Sequence, residues 1–252
     1  MNKQTVIFED LGQMEYKAAW DYQEELLQQN VRIKRAAMLQ TNGSSDDPLP
    51  GDTHHHLLFV EHPPVYTLGK SGNIENVLIN EEMRTSKGIG FFRTNRGGDI
   101  TFHGPHQIVG YPILDLEKFY TDIGKYLRNI EEVIILVLRD YGIESGRSPG
   151  ETGVWIDAGV AGRERKICAI GVRSSRWVTM HGFALNVNTD LSYFNFIIPC
   201  GIQNKEVTSM EKELGRSLHM EEVKQAIKMH FEGVFNVKLL QVRKSGSPKD
   251  LS

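Results

Sequence analysis

Lys166-Ile167-Cys168-Ala169-Ile170-Gly171-Val172 and His181-Gly182-Phe183-Ala184-Leu185-Asn186-Val187 are two mostly apolar runs of strand length, each bounded by turn-forming residues. Short runs of this kind, rich in β-formers, read as strands rather than helices. Others lie upstream: Leu57-Leu58-Phe59-Val60, Val65-Tyr66-Thr67-Leu68, Ile100-Thr101-Phe102, Ile108-Val109-Gly110-Tyr111 and Gly153-Val154-Trp155-Ile156, with Gly, Pro and Asn punctuating them. Helices flank this strand-rich middle. Tyr16, Ala19, Trp20, Gln23, Leu26, Leu27 and Val31 follow helical spacing, Gln23 being the polar member, and predict a helix over roughly residues 13–35. Ile123, Leu127, Ile130, Ile134, Val137, Leu138 and Tyr141 form a second stripe, with Asp122 placed to cap its start and Gly142 to end it in a left-handed residue. Val223, Ala226, Ile227, Phe231 and Val234 mark a third helix, followed by a strand at Val237-Lys238-Leu239-Leu240. Together these predict one α+β domain over residues 1–252, a mixed or antiparallel sheet flanked by helices. A composition shift after Cys200 points to a small C-terminal helical extension from about residue 205.

The 252 residues carry 29 Lys and Arg against 32 Asp and Glu, a formal charge of −3, which speaks against a polybasic nucleic-acid binder. With 40% hydrophobic and 24% charged residues the chain can bury a sizeable core, and disorder of the whole chain is excluded. The longest apolar run, Val133 to Leu138, is far short of the roughly 20 residues of a spanning helix. The first ten residues lack the pattern of a signal peptide, and two cysteines are too few for a disulfide scaffold. A soluble, cytoplasmic protein whose cysteines are thiols is the expectation. Residues 40–56 read as a polar surface loop.

The densest cluster of special residue types is Arg96-Gly97-Gly98-Asp99-Ile100-Thr101-Phe102-His103-Gly104-Pro105-His106-Gln107. Adjacent glycines let backbone approach a ligand, while Thr101 and His103 share one strand face; the segment reads as a cavity wall or as a solvated glycine-rich hairpin. It is not a phosphate-cradling P-loop. Cys200 stands between Pro199 and Gly201, where a tight turn would thrust the thiol outward, though a free cysteine is more often a small buried hydrophobe. A nucleophilic thiol needs an activating partner, since a free cysteine with pKa near 8.5 is only a few per cent ionised at neutral pH. Lys166 is one candidate: strand alternation would place it on a face with Cys168, Ile170 and Val172, an ammonium among core residues. An exposed strand-end lysine is its bland alternative. His103 and His181 are alternative bases or hydrogen-bonding wall residues. His54, His55 and His56 alternate in direction if extended and have no ligand-spaced companions, so no metal site is expected.

Several stretches, in order, resemble the lipoate-protein octanoyltransferase family: Glu61-His62-Pro63-Pro64-Val65-Tyr66-Thr67-Leu68-Gly69, Arg96 to Gln107, Gly153-Val154-Trp155, Lys166 to Gly171, His181 to Asn186 and Pro199-Cys200-Gly201. One departure is the family's Gly-Pro-Gly-Gln, here Gly104-Pro105-His106-Gln107. The resemblance implies a biotin/lipoate protein ligase-like catalytic domain related to class II aminoacyl-tRNA synthetases. It implies an acyltransferase that moves an octanoyl group from octanoyl-acyl carrier protein to a lysine of lipoyl domains, in 2-oxoacid dehydrogenases and the glycine cleavage H protein, without cofactor or metal. Cys200 then matches the acyl-thioester nucleophile and Lys166 its proton partner. Arg96, Gly97, Gly98, Asp99, Ile100, Thr101, Phe102 and His103, with Ala169, Ile170, Gly171, Gly182, Phe183 and Ala184, match substrate-binding segments; Cys168 matches none and reads as structural. An ATP-dependent lipoate or biotin ligase of the same fold and a non-catalytic acyl-binding protein are the alternatives. Docking of an acidic carrier protein predicts a local basic patch, with Arg163, Arg165, Arg173 and Arg176 as its members.

Overall fold

A computed structural model describes residues 3–41, 51–198 and 206–241 of the chain. Its elements run β1 (Gln4–Gln13), α1 (Tyr16–Thr41), β2 (His55–Glu61), β3 (Val65–Leu68), α2 (Glu81–Ser86), β4 (Gly90–Arg93), β5 (Ile100–His103), β6 (Gln107–Ile113), α3 (Ile123–Asp140), β7 (Val154–Ile156), β8 (Arg165–Ser175), β9 (Val178–Asn186), β10 (Glu206–Val207), α4 (Met210–Leu214), α5 (Met220–Phe235) and β11 (Val237–Gln241). No described helix is long and apolar enough to cross a membrane.

The large sheet has the order β10-β8-β9-β6-β2-β1-β11, with β7 also paired to β8; β3, flanked by β4 and β5, forms a small second sheet. Both sheets are mixed, so the expected α+β architecture stands. The apolar runs are continuous because the large sheet is buried on both sides, and alternate side chains serve different layers. Leu57 and Phe59 pack with α3 and α5, through Ile130, Ile134, Val137, Ile227 and Phe231. Leu58 and Val60 pack with Ala19, Leu26 and Leu27 of α1 on the opposite face.

α3 starts and stops as its sequence predicts. The Asp122 carboxylate accepts the Lys125 N–H at 2.9 Å, and Gly142 follows the helix with φ +75°. α1 extends beyond its expected end to Thr41, and His55 and His56 belong to β2, so residues 40–56 are not a loop throughout. His55 and His56 part company across the strand: the first accepts the Asp115 N–H, the second meets Glu9. β1 was not expected. It lies between β2 and β11, parallel to both, and buries only Val6 and Phe8 deeply, a signal too short to announce a strand. Residues 206–241 return to this sheet and core: Met210, Val223, Phe231, Phe235 and Val237 join the α3 layer.

The Gly104-Pro105-His106-Gln107 segment forms a hydrogen-bonded turn with the histidine in the left-handed region. The Gln107 N–H donates to the Gly104 carbonyl at 3.3 Å, and His106 takes φ +60°. Its N–H donates to Glu61 Oε2 at 3.0 Å, and its carbonyl accepts from the Asn188 N–H and the Thr189 hydroxyl. A left-handed non-glycine residue costs roughly 1–2 kcal/mol, partly offset because glycine loses about 0.5–1 kcal/mol more chain entropy on folding. His106→Gly should therefore raise the unfolding free energy by up to about 1 kcal/mol in urea titrations; a loss would mean that the exposed imidazole itself stabilises the turn.

Candidate active site

A cavity of about 490 Å³ opens where the 94–99 loop, β8, β9 and the start of α3 meet. The loop carries its functional side chains because two backbones pass unusually close to it. A Cβ at Gly69 would sit 2.2 Å from the Gly98 carbonyl oxygen, and one at Gly171 would sit 2.8 Å from that of Gly97. Only glycine fits either place. Lys70, Ser71 and Gly69 donate their N–H groups to Arg96, Gly98 and Asp99, and the Gly97 N–H donates to the Val172 carbonyl at 2.9 Å, so the loop is pinned from both sides.

Arg96 is buried, with Nη2 donating to the Thr67 carbonyl at 2.6 Å and to its hydroxyl at 2.9 Å. From there a directed chain of hydrogen bonds runs along the wall. Thr67 meets His103 Nε2 at 3.4 Å, His103 Nδ1 donates to Gln107 Oε1 at 2.9 Å, Gln107 Nε2 donates to Asn186 Oδ1 at 2.8 Å, and Asn186 Nδ2 donates to the Thr208 carbonyl at 3.0 Å. The Asn186 and Gln107 amides fix the direction: each nitrogen meets a carbonyl, so His103 carries its proton on Nδ1. Asp99 is likewise engaged, accepting from the Ile100 N–H and from Asn76.

The histidines considered as bases are wall residues. Burial, the neighbouring His62 and Arg96 push His103 well below the ordinary imidazole range, and its ring stacks on Tyr16 at 5.9 Å. His181 is pushed down to about 3 by burial and then by Arg96 and Arg173; its Nε2 meets Asn95 Oδ1 at 3.0 Å. Its backbone, at φ +58°, donates to Gln23 Oε1, which explains the polar member of the α1 stripe: Gln23 is fully buried and ties α1 to β9.

Lys166 lines the cavity, 8% exposed, with Nζ 4.5 Å from the centre of the Trp155 ring. It does not share a face with Cys168. The β7–β8 ladder pairs Trp155 with Lys166 but Val154 with Cys168, so Ile167 is an extra residue and alternation breaks there. Lys166 consequently joins Ala169 and Gly171 on the cavity wall, while Cys168 packs in the α3 core, where burial pushes its thiol up and out of reach of ionisation.

Arg96, Gly97, Gly98, Asp99, Ile100, Thr101, His103, Lys166, Ala169, Ile170, Gly171, Gly182, Phe183 and Ala184 thus converge on one cavity. Phe102 does not. It points to the opposite side of β5, stacking on Tyr193 at 4.7 Å beside Tyr66 in the core of the small sheet, as alternation with Thr101 and His103 requires. Cys200, with Pro199 and Gly201, lies outside the described residues. Tyr16, Ile123 and Leu127 also line the cavity; in the sequence they are members of helical stripes, which do not distinguish a cavity from a core. His106 does not line it. Of the expected basic patch, Arg163 pairs with Asp157, Arg165 with Asp157 and Glu213, and Arg173 with Glu24, so three of its members serve local ion pairs.

Buried neutral histidines bear on stability. Burial pushes His55 and His62 down to about 4, alongside His103 and His181. Below pH about 6.5 the unfolded chain binds protons that the folded chain refuses, so this stabilisation is complete above that pH and is lost as the pH falls towards 4. Each ring should contribute a slope of about 1.4 kcal/mol per pH unit in that window. Urea unfolding at pH 7.5, 6 and 5 should show a steep decline, made shallower by His62→Gln; a flat profile would mean that the rings charge inside the folded protein.

The sequence pattern of the lipoyl protein ligase A/B catalytic domain matches residues 15–232. The chain is 57% identical over 241 residues to the octanoyltransferase of Flavobacterium johnsoniae, covering 95% of this chain and all of that one. Identity is 55% over 240 residues with the octanoyltransferase of Christiangramia forsetii, covering 95% and 99%. Among solved structures, the bipartite lipoate protein ligase of Thermoplasma acidophilum superposes with a TM-score of 0.63 at 16% identity, covering 96% of this chain and 89% of the ligase. A lipoate-protein ligase A bound with ATP superposes with a TM-score of 0.63 at 13% identity, covering 97% and 90%. The fold is that of these ligases.

Proposed function

The chain belongs to the lipoyl protein ligase A/B catalytic-domain family, among its octanoyltransferases, and we propose that it carries an octanoyl group from octanoyl-acyl carrier protein to a lysine of lipoyl domains through a thioester on Cys200. The observation that carries this reading is the placement of Lys166. It is a buried amine in the wall of the cavity, and the adjoining strand β10 pairs Val207 with Lys166, seven residues beyond Cys200. On the other side of that stretch, the Ile198 N–H donates to the Asn76 carbonyl at 2.8 Å. Val207, which lines the cavity, and Ile198 are the described residues on either side of Cys200, and the backbone pairing of each supports the reading.

In the first step Lys166 Nζ takes the Cys200 proton. The thiolate attacks the donor thioester carbonyl, and the carrier thiol leaves with the proton that Lys166 took, which returns Lys166 to its neutral form. Exchange of one thioester for another is near even in free energy, so this step needs no ATP. In the second step the acceptor lysine, which must be neutral to attack although its usual pKa is about 10.4, displaces Cys200 and forms an amide. Lys166 then receives the proton the amine sheds and passes it to the departing Cys200 sulfur. Conversion of thioester to amide drives the sequence forward. Lipoyl domains of 2-oxoacid dehydrogenases and the glycine cleavage H protein are the proposed acceptors.

The cavity wall suits an acyl chain. Val109, Ile123, Leu127, Ile170, Val172 and Phe183 supply apolar surface, while His103, Gln107 and Asn186 hydrogen-bond one another. Neither His103 nor His181 competes with Lys166 for the proton, since burial keeps both neutral.

Intact-protein mass after mixing with octanoyl-acyl carrier protein in the absence of ATP tests the reading. A hydroxylamine-sensitive octanoyl adduct should form on the wild type and on Cys168→Ser but not on Cys200→Ser. Product that appears only when ATP is added would make the protein an adenylating ligase of the same fold; transfer that survives in Cys200→Ser would remove the thioester.

A further inference from the structure

Gly153-Val154-Trp155 is a stretch of the octanoyltransferase resemblance to which no chemical role attaches, and it lies directly against Lys166. Trp155 is 2% exposed and stands opposite Lys166 in the β7–β8 ladder, so their side chains leave the sheet on one face. The Lys166 Nζ sits over the indole at 4.5 Å. The bulge at Ile167 creates that pairing, and the glycine preserves it. Gly153 has φ +129°, and a Cβ there would lie 2.7 Å from the Cys168 carbonyl oxygen and 3.4 Å from Lys166 Cε. Its N–H donates to Glu131 Oε1 at 3.1 Å, and Glu131, wholly buried in α3, is itself held by Arg128 and Arg147 at 2.7 and 2.9 Å. The lysine stem is thus confined on one side by a backbone anchored to α3 and capped by an aromatic face.

We propose that Trp155 is a positioning residue for acyl transfer: its ring face holds the Lys166 ammonium that forms when Lys166 takes the Cys200 proton, and so favours the thiolate. This rests on the Cys200–Lys166 reading given above. The face of an indole is electron-rich and attracts a cation most strongly where water is excluded. In the proposed step Nζ gains charge as Cys200 loses its proton, and the ring attracts that charged form, so the contact favours the thiolate state. A long, flexible lysine held against a ring also gives up its conformational freedom before the reaction begins.

Other charges act on the same amine. Arg96, Asp99 and Glu151 line the cavity with it, Glu131 lies behind Gly153, and Arg165 adjoins it in β8, turned to Asp157 and Glu213. The test must leave all of these in place. Site-specific incorporation of mono-, di- and tetrafluorotryptophan at position 155 does so, because fluorine drains the ring face while nearly preserving its shape. The readout is the rate of iodoacetamide alkylation at Cys200 as a function of pH, with the site identified by peptide mass. The alkylation midpoint should climb stepwise with fluorine content, by roughly half a unit to one unit across the series. Over the same series kcat for octanoyl transfer should fall while KM for the carrier protein stays level. Lys166→Met should raise the midpoint further. If the fluorinated proteins keep their Tm and share one midpoint while Lys166→Met shifts it, Trp155 merely fills space and the inference fails. If Lys166→Met leaves the midpoint where it is, the Cys200–Lys166 pairing itself is wrong and the role of Trp155 falls with it.

Discussion

The hydrogen bond from the Gly97 N–H to the Val172 carbonyl ties the small sheet, whose strands β4 and β5 flank the loop containing Gly97, to the large sheet, to which β8 belongs, and the His103–Gln107 and His181–Asn95 hydrogen bonds reinforce it. The Gly97 bond forms only because no side chain stands at Gly171, where a Cβ would meet the Gly97 oxygen at 2.8 Å. The cavity lies along this seam, and its two walls are set by the contact rather than by either sheet alone. Gly69 performs the corresponding service on the other side of the loop. Side chains at these positions would separate the walls before they filled the cavity.

Once the seam is closed, Arg96 is trapped with its guanidinium against Thr67, and the direction of every hydrogen bond along the wall follows. The donor-to-acceptor order passes through His103 and Gln107 to Asn186 and ends on the carbonyl of Thr208, whose own N–H donates to the Lys166 carbonyl. A buried polar network is costly if half satisfied, so its members fix one another's orientation. Its imidazole is spent on structure. In the proposed reaction the Lys166 amine handles the proton instead, and an ammonium in a buried wall needs a local partner such as the Trp155 ring face.

Much of this was legible in the residues. Strands buried on both faces appear as unbroken apolar runs, and α3 shows its stripe, its Asp122 cap and its terminal Gly142. The density of glycine and polar types from Arg96 to His103 marked the wall correctly, although alternation removes Phe102 from it. Other features depend on partners remote in the chain. The bulge at Ile167, which takes Lys166 away from Cys168, arises in pairing with β7 and has no local signature. Tyr16, Ile123 and Leu127 sit in helical stripes that read alike whether they meet a core or a cavity. β1 shows only Val6 and Phe8 as buried apolar residues, and its neighbours are β2 and β11.

That position of β1 has a consequence for how the protein is made. Gln4 pairs with Val237, so one flank of β1 has no partner until more than two hundred further residues have been synthesised. At about 5–20 residues per second, this flank waits on the order of ten seconds or longer. During that interval its other side can pair only with β2, leaving an open edge of the kind that joins one nascent chain to another. Contacts of such long sequence separation also slow folding in general. Pairing with β11 therefore covers this flank of β1 only late in synthesis and passes the open edge on to β11 among the described strands.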